Sequence, residues 1–484
     1  MTSTPEIRTV RQLGLLETGS AAFHLLGLYR CVTVSARYTL PPNTSPSDEA
    51  LLVAIGNLIN DNPILQVGIQ DEGSTTAYFT HVPEMKLKDF IEFRTCSEEN
   101  YEKSLEDVHC WCHDQFWQDI ETRPPWRVII LRPGETPDFE DVVFAFHHSL
   151  MDGMGGRLFH EKLLAQLNDL PPNPASPSTL IFPEPPTLPE PQEKVIDYTT
   201  TLAFRATKFW NRNRPSFLTP TPNPIWSGEP VDFDRPHKTR LRTVDVPAEV
   251  VSSLLSAARS HSTSITGLLH TLILASLSRR VPDAPGFVSS TPISMRPYIS
   301  PSADLALKES LFVCVTGTNH EHPLSELAVF RSSKGDIDDR HIWNYARKMK
   351  TELIQKTSTL PVNDDIQALA SIKDWPALLR KRDGHPRTRS WEVSNVGAVA
   401  PGDGKRSISR ALFTNGIMVA SDPMSISVVS VNKGTLTLGI SWGDGVVDDE
   451  VIENLAQDLD VLMKRLHERI PFVGSRNIDV DSKW

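Results

Sequence analysis

The stretch that decides the fold is Asp141-Val-Val-Phe-Ala-Phe-His147-His148-Ser-Leu-Met-Asp152-Gly153. Its apolar first part predicts a strand over 141–148, and a helix is predicted to begin after Gly153. Because side chains alternate along a strand, His147 and His148 are expected to point to opposite faces. If the strand ends at a pocket, one imidazole faces that pocket while hydrogen bonds hold the other in the interior.

The residues after the histidine pair fit a tight turn next to a pocket. Asp152 lies four residues after His148, where its carboxylate can fold back on the local backbone, and Gly153 permits the tight geometry. A neutral imidazole, with an ordinary pKa near ~6.5, is suited to accept a proton from an alcohol or a thiol. His148 is therefore a candidate general base.

Two other interpretations of the pair stay open at this point. Both histidines are simply structural in most His-His pairs, although the apolar strand before this pair and the glycines at 155 and 156 after it weigh against that here. Metal ligation by His147, His148 and Asp152 is disfavoured, because adjacent histidines on a strand diverge and chelate poorly. We therefore predict no metal site.

Composition limits the class of protein. The chain has 484 residues, 39% hydrophobic residues and a net charge of −11, which predicts two or three globular domains and argues against nucleic-acid partners. The cysteines are too few and too scattered for a disulfide framework. No apolar run is long enough to span a bilayer, and the first thirty residues do not suit a secretory signal. These features predict a cytoplasmic protein without a membrane span.

A proline-rich segment divides the chain. Nine of the 21 residues from Pro171 to Pro191 are proline, and more prolines follow up to Pro236, so we expect an extended connection over 171–236 with one helix at 197–212. The segment separates an N-terminal lobe, 1–190, which carries the histidine motif, from a C-terminal lobe, 200–484. Both lobes mix helices and strands, which predicts an α+β fold.

Periodicity predicts the main elements of each lobe. Helices are expected at 48–60, 102–118, 250–258, 265–278 and 448–468. Strands are expected at 64–69, 127–131, 242–246, 287–293, 391–399, 411–419, 425–431 and 435–442. Asn432-Lys433-Gly434 is a hairpin signal between the last two strands.

The motif from His147 to Gly153 resembles the HHxxxDG signature of the chloramphenicol-acetyltransferase-like superfamily, which includes peptide-synthetase condensation domains and plant-type BAHD acyltransferases. Three further stretches are most similar to the alcohol O-acetyltransferase family: Arg11-Gln-Leu-Gly-Leu-Leu-Glu17 with Leu26-Gly-Leu-Tyr29, Asp61-Asn-Pro-Ile-Leu65, and Trp391-Glu-Val-Ser-Asn-Val-Gly397. The resemblance covers roughly 10–470. It implies two related lobes, each a mixed sheet packed with helices, in a V shape around a central tunnel.

The resemblance also implies the chemistry. Acyl-CoA, most simply acetyl-CoA, and a small or secondary-metabolite alcohol enter the tunnel from opposite faces and meet at His148, with direct acyl transfer. Asp152 has a structural role and pairs with an arginine of the other lobe, for which Arg296 is in the expected place; an ordinary surface arginine is the alternative. Ser394 and Asn395, which end a strand, are plausible oxyanion donors, and local capping of that strand end is the alternative.

Several further expectations follow. No cofactor is tightly bound, the protein is a monomer, and the basic cluster at 379–389 is either a site for the CoA phosphates or a solvated loop. Where the BAHD branch has DFGWG, this chain has Ser441-Trp-Gly-Asp-Gly445, which argues against that branch and leaves the roles of Trp442 and Asp444 open. The alternatives to a CoA-dependent enzyme are a condensation-type enzyme that uses a carrier-protein thioester and an inactive binding scaffold.

Overall fold

The computed structural model describes residues 7–42, 44–134, 137–171, 174, 177–214, 223–332 and 337–469. The strands of this part of the chain are β1 (Thr9–Gln12), β2 (Val32–Thr39), β3 (Val67–Gln70), β4 (Tyr78–His81), β5 (Glu84–Lys86), β6 (Ile91–Cys96), β7 (Trp126–Pro133), β8 (Phe139–Phe146), β9 (Thr179–Ile181), β10 (Thr239–Val246), β11 (Gly286–Ser294), β12 (Val315–Pro323), β13 (Trp391–Val399), β14 (Ile408–Asn415), β15 (Met424–Val431) and β16 (Leu436–Gly443). The helices are α1 (Leu15–Leu25), α2 (Asp48–Asp61), α3 (Tyr101–Asp114), α4 (Gly153–Asp169), α5 (Gln192–Val195), α6 (Leu202–Asn213), α7 (Ala248–Ser260), α8 (Ile265–Arg280), α9 (Leu324–Arg331), α10 (Asp339–Thr359), α11 (Ile366–Leu369), α12 (Trp375–Arg380) and α13 (Asp449–Arg469).

The first large sheet has five strands in the order β14-β2-β8-β7-β6, antiparallel except for the β6–β7 pair. Its central strand β8 is buried almost throughout because α3 and α4 cover opposite faces, so it reads as a nearly continuous apolar run. On the α4 side, the rings of Phe144 and Phe159 stack with their centroids 3.8 Å apart. Gly156 lets the helix approach this closely, because a Cβ there would lie 2.6 Å from Val34 Cγ2.

The second large sheet has six strands in the order β10-β16-β15-β13-β11-β12. Both neighbours of β13 run parallel to it, and the other pairs are antiparallel. Helix α8 lies against this sheet and is buried on nearly every side, which agrees with a sequence in which apolar residues predominate on every face. The predicted hairpin between β15 and β16 is confirmed, with Lys433 at a φ of 59° in its turn.

One strand crosses between the two halves of the chain. β14 follows β13 in sequence, yet it pairs with β2 of the first sheet, from Asn415 opposite Val32 to Ile408 opposite Tyr38. Just before β14, Arg406 Nη1 lies 2.6 Å from Oε1 of the fully buried Glu140 on β8. The first sheet therefore takes an edge strand from beyond the proline-rich segment, whereas the lobe boundaries at 190 and 200 stay a prediction.

The mixed sheets with helices packed on them confirm the predicted α+β class, and the differences from prediction are local. The strand predicted at 141–148 ends at Phe146, the helix predicted at 102–118 ends at Asp114, and the helix predicted at 197–212 begins at Leu202. Residues 172, 173, 175, 176 and 215–222 of the proline-rich segment lie outside the described residues. Within the described residues, no helix is long and apolar enough to cross a bilayer.

Candidate active site

The histidine pair lies in a turn between β8 and α4. Asp152 is the N-cap of α4, and its Oδ1 accepts a hydrogen bond from the backbone N–H of Gly155 at 2.8 Å. The backbone N–H of His147 donates to the carbonyl of Pro125 at 2.9 Å. Both ends of the turn are thus anchored, which fixes the directions of the two imidazoles.

The two rings have different surroundings, as the alternation argument predicts. His147 is 1% exposed, and its Nδ1 accepts a hydrogen bond from the backbone N–H of Ser149 at 3.0 Å. The proton of His147 is therefore on Nε2, which lies 3.3 Å from Glu72 Oε1. His148 instead lines a large cavity.

Glu72 holds a second histidine on the same oxygen. His24 Nδ1 lies 2.8 Å from Glu72 Oε1, and His24 Nε2 accepts the backbone N–H of Trp117 at 3.3 Å. Burial alone would raise the pKa of Glu72, but its contacts with His147 and His24 outweigh burial and lower the pKa to about 2. Because the far nitrogen of each ring accepts a backbone N–H, both rings turn N–H groups toward Glu72, and this donor set does not suit a metal ion.

The ring of His148 is held neutral beside the cavity. Its Nδ1 is buried, which leaves Nε2 as the nitrogen toward the cavity, and the ring of Tyr29 lies 5.8 Å away between centroids. Burial lowers the pKa of His148, against the opposing effects of backbone carbonyls and Asp152. The cavity has a volume of about 2710 Å³ and is lined by residues of both large sheets and their helices.

Asp152 and Arg296 meet between the two halves of the chain. Arg296 Nη1 lies 2.7 Å from Asp152 Oδ2, which also accepts the backbone N–H of Cys314 at 3.0 Å. Arg296 Nη2 donates to the carbonyl of Phe312 at 3.0 Å. Asp152 and Arg296 are each 4% exposed, so this pair connects the start of α4 to the second half of the chain.

The two predicted oxyanion donors have different environments. Ser394 lies on the cavity side of β13 and lines the cavity. Asn395 uses its side chain locally, since Oδ1 accepts the backbone N–H of Gly397 at 2.9 Å and Nδ2 donates to Thr266 Oγ1 at 3.2 Å. Pairing between β13 and β15 is interrupted after Asn395, which matches the capping alternative for that residue.

Three arginines of the basic cluster at 379–389 form hydrogen bonds or ion pairs within the protein. Arg387 and Arg382 donate to backbone carbonyls of the 418–421 loop, and Arg389 forms a bidentate ion pair with Asp422 at 2.8 Å.

The Ser441–Gly445 stretch also makes contacts within the protein. Trp442 Nε1 donates to Asp449 Oδ1 at 2.8 Å, and Asp444 pairs with Arg240 at 2.7 Å. None of these contacts needs a substrate.

Sequence reasoning missed three residues that the structure brings to this region: Tyr29, Glu72 and Glu392. Tyr29 and Glu392 line the cavity with His148, and Glu72 lies behind the pair. Tyr29 and Glu392 belong to stretches already quoted for the family resemblance, but neither stretch contains a spacing that points to a cavity. Glu72 follows a short strand in a polar loop, so no pattern marked it.

Comparisons with known proteins agree with the fold and with the family resemblance. A family model described as alcohol acetyltransferase matches residues 12–463. The probable alcohol acetyltransferase FCK4 of Fusarium pseudograminearum is 28% identical over 473 residues, covering 93% of this chain and 94% of that protein. Two solved structures share the fold. The TRI3 trichothecene 15-O-acetyltransferase of Fusarium sporotrichioides aligns at a TM-score of 0.71 and 13% identity over 94% of this chain and 95% of its own. The condensation domain of the polyketide synthase MokA aligns at a TM-score of 0.58 and 10% identity over 96% of this chain and 99% of its own.

Proposed function

The chain belongs to the alcohol acetyltransferase family, and from this premise we propose that it transfers the acetyl group of acetyl-CoA to a small or secondary-metabolite alcohol, with His148 as the general base. The observation that carries the proposal is a neutral imidazole that opens on a cavity between the two large sheets. Acetyl transfer to an alcohol agrees with the family, and the donor and the base are our inference.

The proposed reaction is a direct transfer. His148 Nε2 takes the proton of the acceptor hydroxyl while the hydroxyl oxygen attacks the thioester carbonyl, and the C–S bond breaks as the tetrahedral intermediate collapses. The imidazolium then returns the proton to the CoA thiolate. General-base assistance contributes about 10²–10⁴ in rate, so the positioning of two substrates in one cavity must supply much of the rest.

Two features of the cavity wall support this chemistry. Asp152 and Arg296 fix the turn that carries His148, and although both residues line the cavity, their charged groups are bonded to each other. The hydroxyl of Ser394 faces the cavity and is suited to donate to the developing oxyanion, where one donor supplies about 2.7–4 kcal/mol. Asn395 is not needed for that role because its amide is already bonded to Thr266.

The start of α8 supports a donor with phosphate groups. Ser264 caps this helix, its first residues line the cavity, and Arg259 and Lys350 lie on the cavity wall nearby. Thr263 Oγ1 donates to the carbonyl of Ala346 at 2.6 Å, which holds α10, the helix of Lys350, against this end. A helix N-terminus with two cations attracts phosphates, so we propose that the CoA phosphates bind here rather than at the cluster over 379–389.

The test is an assay of thiol release from acetyl-CoA with a mixture of primary alcohols. We expect turnover by the wild type and its loss in His148→Ala, with circular dichroism showing that the variant is folded. His385→Ala, which alters an exposed histidine, is the matched control and retains turnover. Turnover only with an acyl-carrier-protein thioester would favour the condensation-type alternative, and no turnover with either donor would favour the binding scaffold. Retained turnover in His148→Ala would overturn the general-base assignment.

A further inference from the structure

A carboxyl group with an unused oxygen lies in the wall of the cavity that His148 lines. Glu392 is on β13, in register with Ser290 of β11 and Ser425 of β15. Its Oε1 accepts a hydrogen bond from Asn415 Nδ2 at 3.1 Å and a longer one from Ser425 Oγ at 3.5 Å. Its Oε2 makes no hydrogen bond with the residues that the structure describes, and the side chain is accessible only in part, along the cavity.

Among the described residues, no cation forms an ion pair with this carboxyl group. Arg389 also lines the cavity, but both prongs of its guanidinium are bonded to Asp422, with Nε to Oδ1 and Nη2 to Oδ2 each at 2.8 Å. Burial, and then the Asp422 carboxylate, raise the pKa of Glu392 to about 7 against the opposing effect of Arg389. Burying a carboxyl without a counter-ion is costly. The internal contacts of Glu392 would be met equally by a glutamine, so they do not explain an acid here.

Glu392 is connected to the histidine by fixed side chains. The hydroxyl of Tyr29 donates to Asn415 Oδ1 at 3.1 Å, and the amide of Asn415 donates to Glu392. Tyr29 also lies beside His148, with ring centroids 5.8 Å apart. These residues form one polar wall, which begins at His148 and ends at the free oxygen of Glu392. A substrate that lies along this wall can contact His148 and Glu392 at the same time.

We propose that Glu392 binds a second hydroxyl group of the acceptor, so that the preferred substrate is a diol or a larger polyol whose other hydroxyl reacts at His148. This inference rests on the proposed function and adds the class of acceptor. A hydroxyl both donates and accepts hydrogen bonds, so it suits the carboxyl in either protonation state. The Arg389 guanidinium nearby disfavours an ammonium group as the second recognition element.

The test compares terminal diols, from butanediol to octanediol, with primary alcohols of the same chain length, at saturating acetyl-CoA. The readout is the ratio of kcat/KM for each diol to that for its matched alcohol. We expect the wild type to favour one diol length by about tenfold, well above the about twofold statistical advantage of two equivalent ends. A preference at one length follows from the fixed separation of His148 and Glu392.

Two variants of Glu392 and one control make the outcome specific. In Glu392→Met, the ratio of kcat/KM for each diol to that for its matched alcohol is expected to fall, at every chain length, to the value set by two equivalent ends. In Glu392→Gln, which keeps the contact with Asn415, we expect an intermediate ratio, because a neutral amide bonds a hydroxyl more weakly than a carboxylate does. Glu249→Met makes a similar change on the exposed rim of the same cavity and should keep the wild-type ratio.

The outcomes separate this inference from the proposed function. Acetyl transfer with the same diol ratio in the wild type and in Glu392→Met would overturn the acceptor assignment alone. No acetyl transfer from acetyl-CoA to any of these alcohols would overturn the proposed function and the inference with it. If Glu392→Met does not fold, the fall of the diol ratio in Glu392→Gln, which keeps the contact with Asn415, decides the question.

Discussion

Directly behind the turn that carries His148, Oε1 of Glu72 is hydrogen-bonded to His24 Nδ1 at 2.8 Å and lies 3.3 Å from His147 Nε2. Because His147 and His24 each use their other nitrogen to accept a backbone N–H, neither ring can rotate without losing two contacts. The carboxylate thus fixes the tautomer of His147 and the path of the turn. At the residue scale, the position of His148 depends on a charge that does not itself face the cavity.

We predict that Glu72→Gln lowers the free energy of unfolding by about 1–3 kcal/mol at pH 7. The folded-state pKa of Glu72 is about 2, below its ordinary 4.5, so its stabilising effect is present above pH 4.5 and is lost as the pH falls toward 2. The difference between wild type and variant should therefore shrink below pH 4.5. The measurement is urea unfolding over a pH series, with the exposed Glu121→Gln as control. A difference that stays constant with pH would mean that the charge is not the cause.

His147 adds to the acid sensitivity with the same sign. Burial lowers its pKa from 6.5 to about 4, so the unfolded chain binds a proton on this ring before the folded chain does. Stability from the neutral, buried ring is present above pH 6.5 and is lost as the pH falls toward 4. Glu72 opposes part of this shift, so the pKa of His147 is expected to be lower still in Glu72→Gln, and the analysis of the pH series includes both groups.

Some residues of the site could be predicted and others could not. The pairing of Asp152 with Arg296 was expected from the family resemblance, and the structure brings the two side chains together at 2.7 Å. The separation of His147 from His148 followed from alternation, although both residues lie just past the end of β8. Glu72 and Glu392 were not predicted as site residues, because their partners are distant in sequence and no local pattern indicates such contacts.

At the element scale, the role that we propose for the start of α8 could not be predicted from its sequence. The helix is apolar along its length, so periodicity predicts only a core helix, and Ser264 reads as an ordinary cap. What distinguishes this cap is the cavity in front of it and the two cations, Arg259 and Lys350, that α7 and α10 bring to the same wall. Only the packing of three helices reveals that combination.

We predict that replacing Arg259 and Lys350 together by alanine raises the KM for acetyl-CoA by about tenfold and leaves kcat nearly unchanged. The cause is the loss of charge opposite the CoA phosphates. The KM for an acetyl thioester of a short, phosphate-free thiol should not change. Lys464→Ala, on the outer side of α13, is the control. An equal rise in KM for both thioesters would contradict a phosphate contact.

The elements that were predicted well share a clear apolar pattern. β13, β15 and β16 were placed within a residue or two, because they alternate or run apolar between turn residues. β2 was missed because its inward positions include Thr33 and Ser35, which are buried beneath α3 and read as polar. The helix predicted at 102–118 was too long because Phe116 and Trp117 continue its spacing after the backbone has turned away at Gln115.

At the scale of the whole molecule, an exchanged strand and two buried ion pairs connect the two halves of the chain. β14 pairs with β2, Arg406 reaches Glu140, and Arg296 reaches Asp152. The proline-rich segment could be recognised in the sequence, since proline excludes helix and central strand. The exchange of β14 could not, because nothing in residues 408–415 indicates which sheet edge they complete.

We predict that the chain unfolds in a single calorimetric transition, with equal calorimetric and van't Hoff enthalpies. Arg406→Ala should shift this transition to lower temperature without splitting it, and should cost about 1–3 kcal/mol because it leaves Oε1 of the buried Glu140 without its cation while Arg132 still pairs with Oε2. Arg8→Ala removes a partner from an exposed pair and is the control. Two separate transitions in the wild type would contradict the exchanged strand as the source of cooperativity.

The exchanged strand also limits how this enzyme can be recombined with its relatives. A chimera that joins the first half of one protein to the second half of another, with the crossover in the proline-rich segment, inherits a foreign β14 beside its own β2. The side chains of β2 from Val32 to Tyr38 would then pack beside those of a β14 from a different protein. Hybrid acetyltransferases built from this chain should therefore carry 400–416 from the same parent as the first 170 residues.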